Sequence, residues 1–135
     1  MASLADIRTA IADTLANSID GLRVYSWPAN IYTRPCAMVG WPETYDTADT
    51  FNRTIRVEIP VRLEIDAPHD RGGDTELGRF IEADGSSSLE QVIDDDPTLG
   101  GVVHSAALIR WQEMGPAVEG ESYVFTATGV VEVYA

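Results

Sequence analysis

Lysine is absent from this 135-residue chain: all nine basic residues are arginine, set against 22 acids, for a formal net charge of −13. A chain this acidic repels polyanions at long range, which disfavours a module that reads DNA or RNA. The missing lysine itself points to a GC-rich coding genome rather than to chemistry. A single cysteine, Cys36, excludes an intramolecular disulfide and thiolate metal clusters. The two histidines, His69 and His104, lie far apart, and neither has a partner at metal-ligand spacing. No apolar run approaches the roughly 20 residues that span a bilayer, and the early acid Asp6 argues against a signal peptide. The expectation is a soluble protein with no export signal and no membrane partner. Motifs of nucleotide and ester chemistry are missing as well: no G-x-S-x-G, no G-x-x-x-x-G-K-[ST] and no G-x-G-x-x-G occurs.

What is present is organised around Arg53–Asp66, RTIRVEIPVRLEID. Ile55, Val57, Ile59, Val61, Leu63 and Ile65 take every second place, with Thr54, Arg56, Glu58, Arg62, Glu64 and Asp66 between them. Side chains alternate across a strand, so this is a long strand with one apolar and one wet face. Pro60 cannot donate to a ladder and predicts a bend, a bulge or a sheet edge. An open edge would invite another chain to pair. On the polar face, Arg56/Glu58 and Arg62/Glu64 suit a subunit contact, although plain solvation is the preferred reading.

The remainder supplies the other elements. Leu4, Ile7, Ile11, Leu15 and Ile19 recur at helical spacing, which predicts a helix over 4–18, opened by Ser3 with Asp6 and stopped at Asp20-Gly21. Leu22–Trp27 and Cys36–Trp41 read as short strands, with an irregular Ala29–Pro35 between them. Glu43–Asn52 reads as a polar loop at the tip of an extended hairpin, and its Tyr45 and Phe51 are either interface anchors or fold back. A helix over Thr75–Asp84 carries Leu77, Phe80 and Ile81. A second, Ser86–Asp95, has Ser87 and Glu90 at capping-box spacing. Asp96-Pro97 then opens one turn that Gly100-Gly101 ends. Val102–Met114 reads as mostly strand with Val103, Ala107, Ile109 and Trp111 on one face, Gly115–Gly120 as a turn, and Ser122–Tyr134 as the last strand. The sum is one α+β domain over residues 1–135, with a mostly antiparallel sheet, a long central β-hairpin, and an N-terminal and two short helices packed on one face.

No constellation in the sequence predicts catalysis, a metal or a cofactor. Asp94-Asp95-Asp96 is the densest acidic run, but a hard cation needs oxygens converging from a defined loop, so capping and solvation are preferred. Cys36 lies between Pro35 and Ala37 in an apolar stretch, which favours a buried inert thiol.

The order of elements, with the turn Asp96-Pro97-Thr98-Leu99-Gly100-Gly101 between a short helix and an apolar strand, resembles the tail terminator proteins of long-tailed bacteriophages. The likeness takes in the first helix, the long strand, both later helices and the closing strand YVFTATGVVEVYA; residues 28–52 lie outside it. It implies a non-catalytic, hexameric ring at the top of the tail in the virion, made in the host cytoplasm. Such a ring stops tube polymerisation, binds the tail tube protein on one side and the head–neck connector on the other, and lets DNA pass through its lumen without specific binding. Part of the acidic surplus is then expected to line that lumen. Ring closure would be head to tail, using the edge of Arg53–Asp66 with Trp41, Tyr45 and Phe51, and the face bearing Arg56, Glu58, Arg62 and Glu64. The alternatives are a head–tail stopper or tail tube subunit, then an enzyme using Asp94–Asp96, His69 or His104, and a monomeric binding module presenting Tyr45 and Phe51.

Overall fold

The computed structural model describes residues 2–30, 32–49, 54–66, 72–119 and 122–135. Helix α1 (Leu4–Ser18) begins where Ser3 accepts the Asp6 backbone N–H and Asp6 accepts that of Ser3, each at 3.1 Å, so two otherwise orphaned donors are satisfied reciprocally. Ile19 caps the helix, and Gly21 turns the chain with φ +79°, a conformation that favours glycine. Strand β1 (Arg23–Tyr25), strand β2 (Cys36–Val39), strand β3 (Thr44–Asp49) and strand β4 (Thr54–Asp66) follow. Helix α2 (Gly72–Ile81) and helix α3 (Leu89–Asp95) then lead to a long hairpin of β5 (Ser105–Glu119) and β6 (Ser122–Tyr134).

The sheet runs β1-β2-β4-β6-β5, with β3 also on β4, and among the described strands only β1 and β2 pair in parallel. One face is the core. Ile55, Val57, Ile59, Val61, Leu63 and Ile65 of β4 are all buried there against Ile7, Ile11 and Leu15 of α1, Leu77 and Phe80 of α2, and Leu89 and Ile93 of α3. The expected α+β class, mostly antiparallel sheet and N-terminal helix are therefore present.

Several local expectations are corrected. β4 is not at an edge: β2 and β3 fill one side of it end to end, and β6 pairs along the other from Arg56 to Asp66. Pro60 fits centrally because its missing donor faces the break between β2 and β3. The Gly40 N–H donates to the Pro60 carbonyl at 2.8 Å, and both polar groups of a strand residue point to the same side. Most of the supposed loop 43–52 is β3; Asn52 and the rest of the connection to β4, Phe51 included, lie outside the described residues. β3 and β4 nonetheless form the expected hairpin pairing.

Helix α2 starts earlier than Thr75 and stops at Ile81. Helix α3 is capped by Ser88, whose hydroxyl accepts the Gln91 N–H, instead of by the Ser87/Glu90 pair. Gly115–Pro116 is not a turn but part of β5, which lies at the sheet margin where a proline is tolerated. The face assigned to Val102–Met114 holds for Val103 and Trp111, which reach the core, and fails for Ala107 and Ile109. Leu108 pairs with Val131 and Arg110 with Val130, so Ile109 is an extra residue that resets the alternation. Ala106 and Leu108 are consequently buried while Ile109 is exposed.

Candidate functional site

The polar face of β4 becomes a charged layer on the side of the sheet away from the helices. Glu64 is only 1% exposed, although it carries a carboxylate. It accepts from the Tyr32 hydroxyl at 3.1 Å, and the guanidiniums of Arg34 and Arg62 lie 3.5 and 3.2 Å from it. Burial, with the Glu64 charge beside it, holds the Tyr32 hydroxyl above its ordinary pKa. Arg34 reaches on to Asp66 at 3.3 Å. A second cluster sits further along the strand. Glu58 meets Arg110 of β5 at 3.0 Å and Arg56 at 3.5 Å. Arg56 also binds Glu132 of β6 and Asp46 of β3, and Arg110 reaches Glu43. These clusters stitch β3, β4, β5 and β6 together through side chains. The four charged residues expected at a subunit contact are thus committed first to their own fold.

The hydrogen bond from Arg110, followed by one with Thr44, holds the Glu58 carboxyl below its ordinary pKa. A depressed folded-state pKa contributes stability that is complete above the unfolded value, near 4.3, and is lost as pH falls through the folded value. Urea unfolding of wild type should therefore weaken between about pH 5 and pH 3 more than that of Arg110→Gln. Equal losses in the two proteins would remove the assigned role of Arg110.

The other sequence candidates do not come together. Asp95 accepts from the Gln91 amide at 2.8 Å, Asp96 accepts the Gly100 N–H at 3.0 Å, and Asp94 faces solvent. The three carboxylates therefore diverge, and Asp96 serves the turn into Gly100 (φ +72°) and Gly101 (φ +90°). Thr98 supports the same turn through its carbonyl, which accepts from Gly101 and Val103, while Leu99 is buried beneath it. Pro97 is exposed on the turn. Among the described residues no group of three His, Cys, Asp or Glu is placed to hold a metal. His104 is exposed just ahead of β5, and His69 lies outside the described residues. Cys36 is fully buried, and burial, reinforced by the Glu64 charge, pushes its thiol up to about 11, away from nucleophilic use.

Two of the surface depressions reach residues weighed above. One of about 700 Å³ lies between α1, α3 and the 96–100 turn, lined by Asp13, Asn17, Gln91 and Asp95 among others. Another of about 590 Å³ opens on the charged face beside Tyr32, Met38, Pro60, Arg62 and Glu64. In the second, the Glu64 carboxylate is already held by Arg34, Arg62 and Tyr32.

Apart from Val102 beside α1, the exposed large apolar side chains among the described residues lie towards the two margins of the sheet. On the β1–β2–β3 side, Trp41 is 67% and Tyr45 57% exposed, with Trp27 nearby in sequence to β1 and packed edge-on to Tyr25. The Arg8 guanidinium lies 5.0 Å from the Trp41 ring centre, a cation–π contact. On the β5 side, Ile109, Met114, Val118 and Tyr123 are exposed, and Val118 and Tyr123 face each other as a cross-strand pair at 64% and 65% exposure. Sequence reasoning found Trp41 and Tyr45 but missed this second patch, because Gly115-Pro116 reads as turn chemistry. The alternation Met114, Pro116, Val118 was the available signal. Comparison with protein-family models and with curated protein sequences gave no match.

Proposed function

We propose that this chain is a ring-forming structural subunit of a bacteriophage tail, a tail terminator. The observation that supports this best is the pair of unlike apolar margins on one sheet, Trp41 and Tyr45 on one side and Met114, Val118 and Tyr123 on the other. Two different patches that fit one another make a heterologous contact, which closes into a ring when the rotation between copies divides a full turn. Closure consumes both margins of every copy. The axial surfaces then remain for the tail tube protein beneath and the head–neck connector above, and tube growth stops because the ring's upper surface does not repeat the tube's. Neither broad face would hold DNA passing through such a ring. Asp13, Glu82, Asp84, Asp94 and Asp95 are exposed on the helix side, where Arg8 and Arg79 are the described bases. On the opposite face Arg34, Arg56, Arg62 and Arg110 are tied to carboxylates.

Native mass, with negative-stain images of the same sample, tests this reading with and without purified tail tubes. The expected result is a closed ring with a central hole, or a monomer that tubes recruit to one end only. Long tubes formed by this chain alone would make it a tube subunit, and a monomer that tubes ignore would overturn the proposal.

A further inference from the structure

The charges of this protein are separated along the sheet. Residues 21–42 contain no acid and carry Arg23 and Arg34, although the chain as a whole is at −13. Residues 111–135 contain four glutamates and no base. The fold sends these segments to opposite margins: β1 and β2 at one, β5 and β6 at the other. Each charge bias coincides with exposed apolar side chains. Trp27 and Trp41 stand with Arg8 and Arg23 on the first margin, and Met114, Val118 and Tyr123 stand with Glu113 on the second.

We propose that the β5–β6 hairpin of one copy docks against the β1–β2 margin of the next, acidic and apolar end onto arginine and tryptophan. This builds on the ring reading and gives the ring its polarity. The occupant is a second copy because the two halves of the match lie on one chain. Copies this acidic repel in most orientations, and the approach that sets the base-free stretch 111–135 against the acid-free stretch 21–42 is the one in which charge attracts. Packing holds the contact, not an added strand. β5 is broken by a bulge at Ile109 and a second register shift between Gln112 and Gly115, where Glu113 has φ +55°, and Pro116 removes a donor. Such features blunt an edge against backbone pairing. Tryptophan and arginine on the receiving side are the residue types that carry contact energy at interfaces.

A photo-crosslinking residue at position 118, Val118→p-benzoylphenylalanine, tests the proposal in the full chain, alone at concentrations up to its solubility limit and with purified tail tubes. Val118 is exposed, so the fold tolerates the change. Inter-chain products should join position 118 to residues 21–45 of another copy. Arg23→Glu with Trp41→Glu should cut their yield several-fold, and added salt should weaken what remains. Where the double variant loses its circular dichroism, Arg23→Glu alone, at an exposed site, serves instead. Products joining two hairpins, products on the helix layer, or no inter-chain product would overturn the proposal. Capped tails with misplaced cross-links would sink this contact and spare the terminator reading; correct cross-links without tube capping would do the reverse.

Discussion

Ile59→Ala should lower the unfolding free energy by about 2–5 kcal/mol, a large share of the 5–15 kcal/mol that holds a domain of this size. Ile59 is fully buried at the middle of β4, which pairs on both sides, and its side chain belongs to the cluster beneath the three helices. The neighbouring Pro60 limits how far the backbone can shift to close the cavity, since the Gly40 N–H is bonded to its carbonyl and a Cβ at Gly40 would lie 3.1 Å from its ring. The matched control is Ile109→Ala. Ile109 sits on the bulge with its side chain exposed, so the expected loss is below about 0.5 kcal/mol. Urea titrations of both variants give the comparison, and similar midpoints would mean that the assigned burial of the two isoleucines is wrong.

Glu64→Ala is the second large effect. Removing the carboxylate leaves Arg34 and Arg62 without their shared anion and the Tyr32 hydroxyl without its acceptor. Breaking a fully buried pair costs about 3–5 kcal/mol; here the side chains of Arg34 and Arg62 are 19% and 43% exposed, so water repays part of it and about 2–3 kcal/mol is expected. Glu64→Gln should lose less than the alanine variant, because an amide oxygen still accepts from Tyr32 and fills the same space. Arg56→Glu and Arg62→Glu, attractive as tests of a subunit contact, would instead disturb Glu58 and Glu64 within one chain. Their failure to form rings would not identify an interface. Substitutions at Val118, Arg23 and Trp41 avoid that ambiguity.

Sequence patterning by itself determined the parts whose cause is local. Spacing of Leu4, Ile7, Ile11 and Leu15 with the Ser3/Asp6 pair was enough for α1, since caps and a 3.6-residue period act within one element. Alternation from Thr54 to Asp66 and from Ser122 to Tyr134 gave both long strands nearly to the residue. The separation of acid-free from base-free stretches was already written in the chain. Only the tertiary structure decided what depends on pairing between distant segments. It set β2 and β3 end to end beside β4, turning a suspected edge into the sheet's centre and giving Pro60 a place with no donor to miss. It inserted Ile109 as a bulge, which moved one isoleucine out of the core. It carried β5 through Gly115 and Pro116, so that Val118 and Tyr123 meet at the margin. Periodicity reports which side chains share a face; hydrogen-bond register with another strand, which no local pattern encodes, decides where that face lies and which edge stays open.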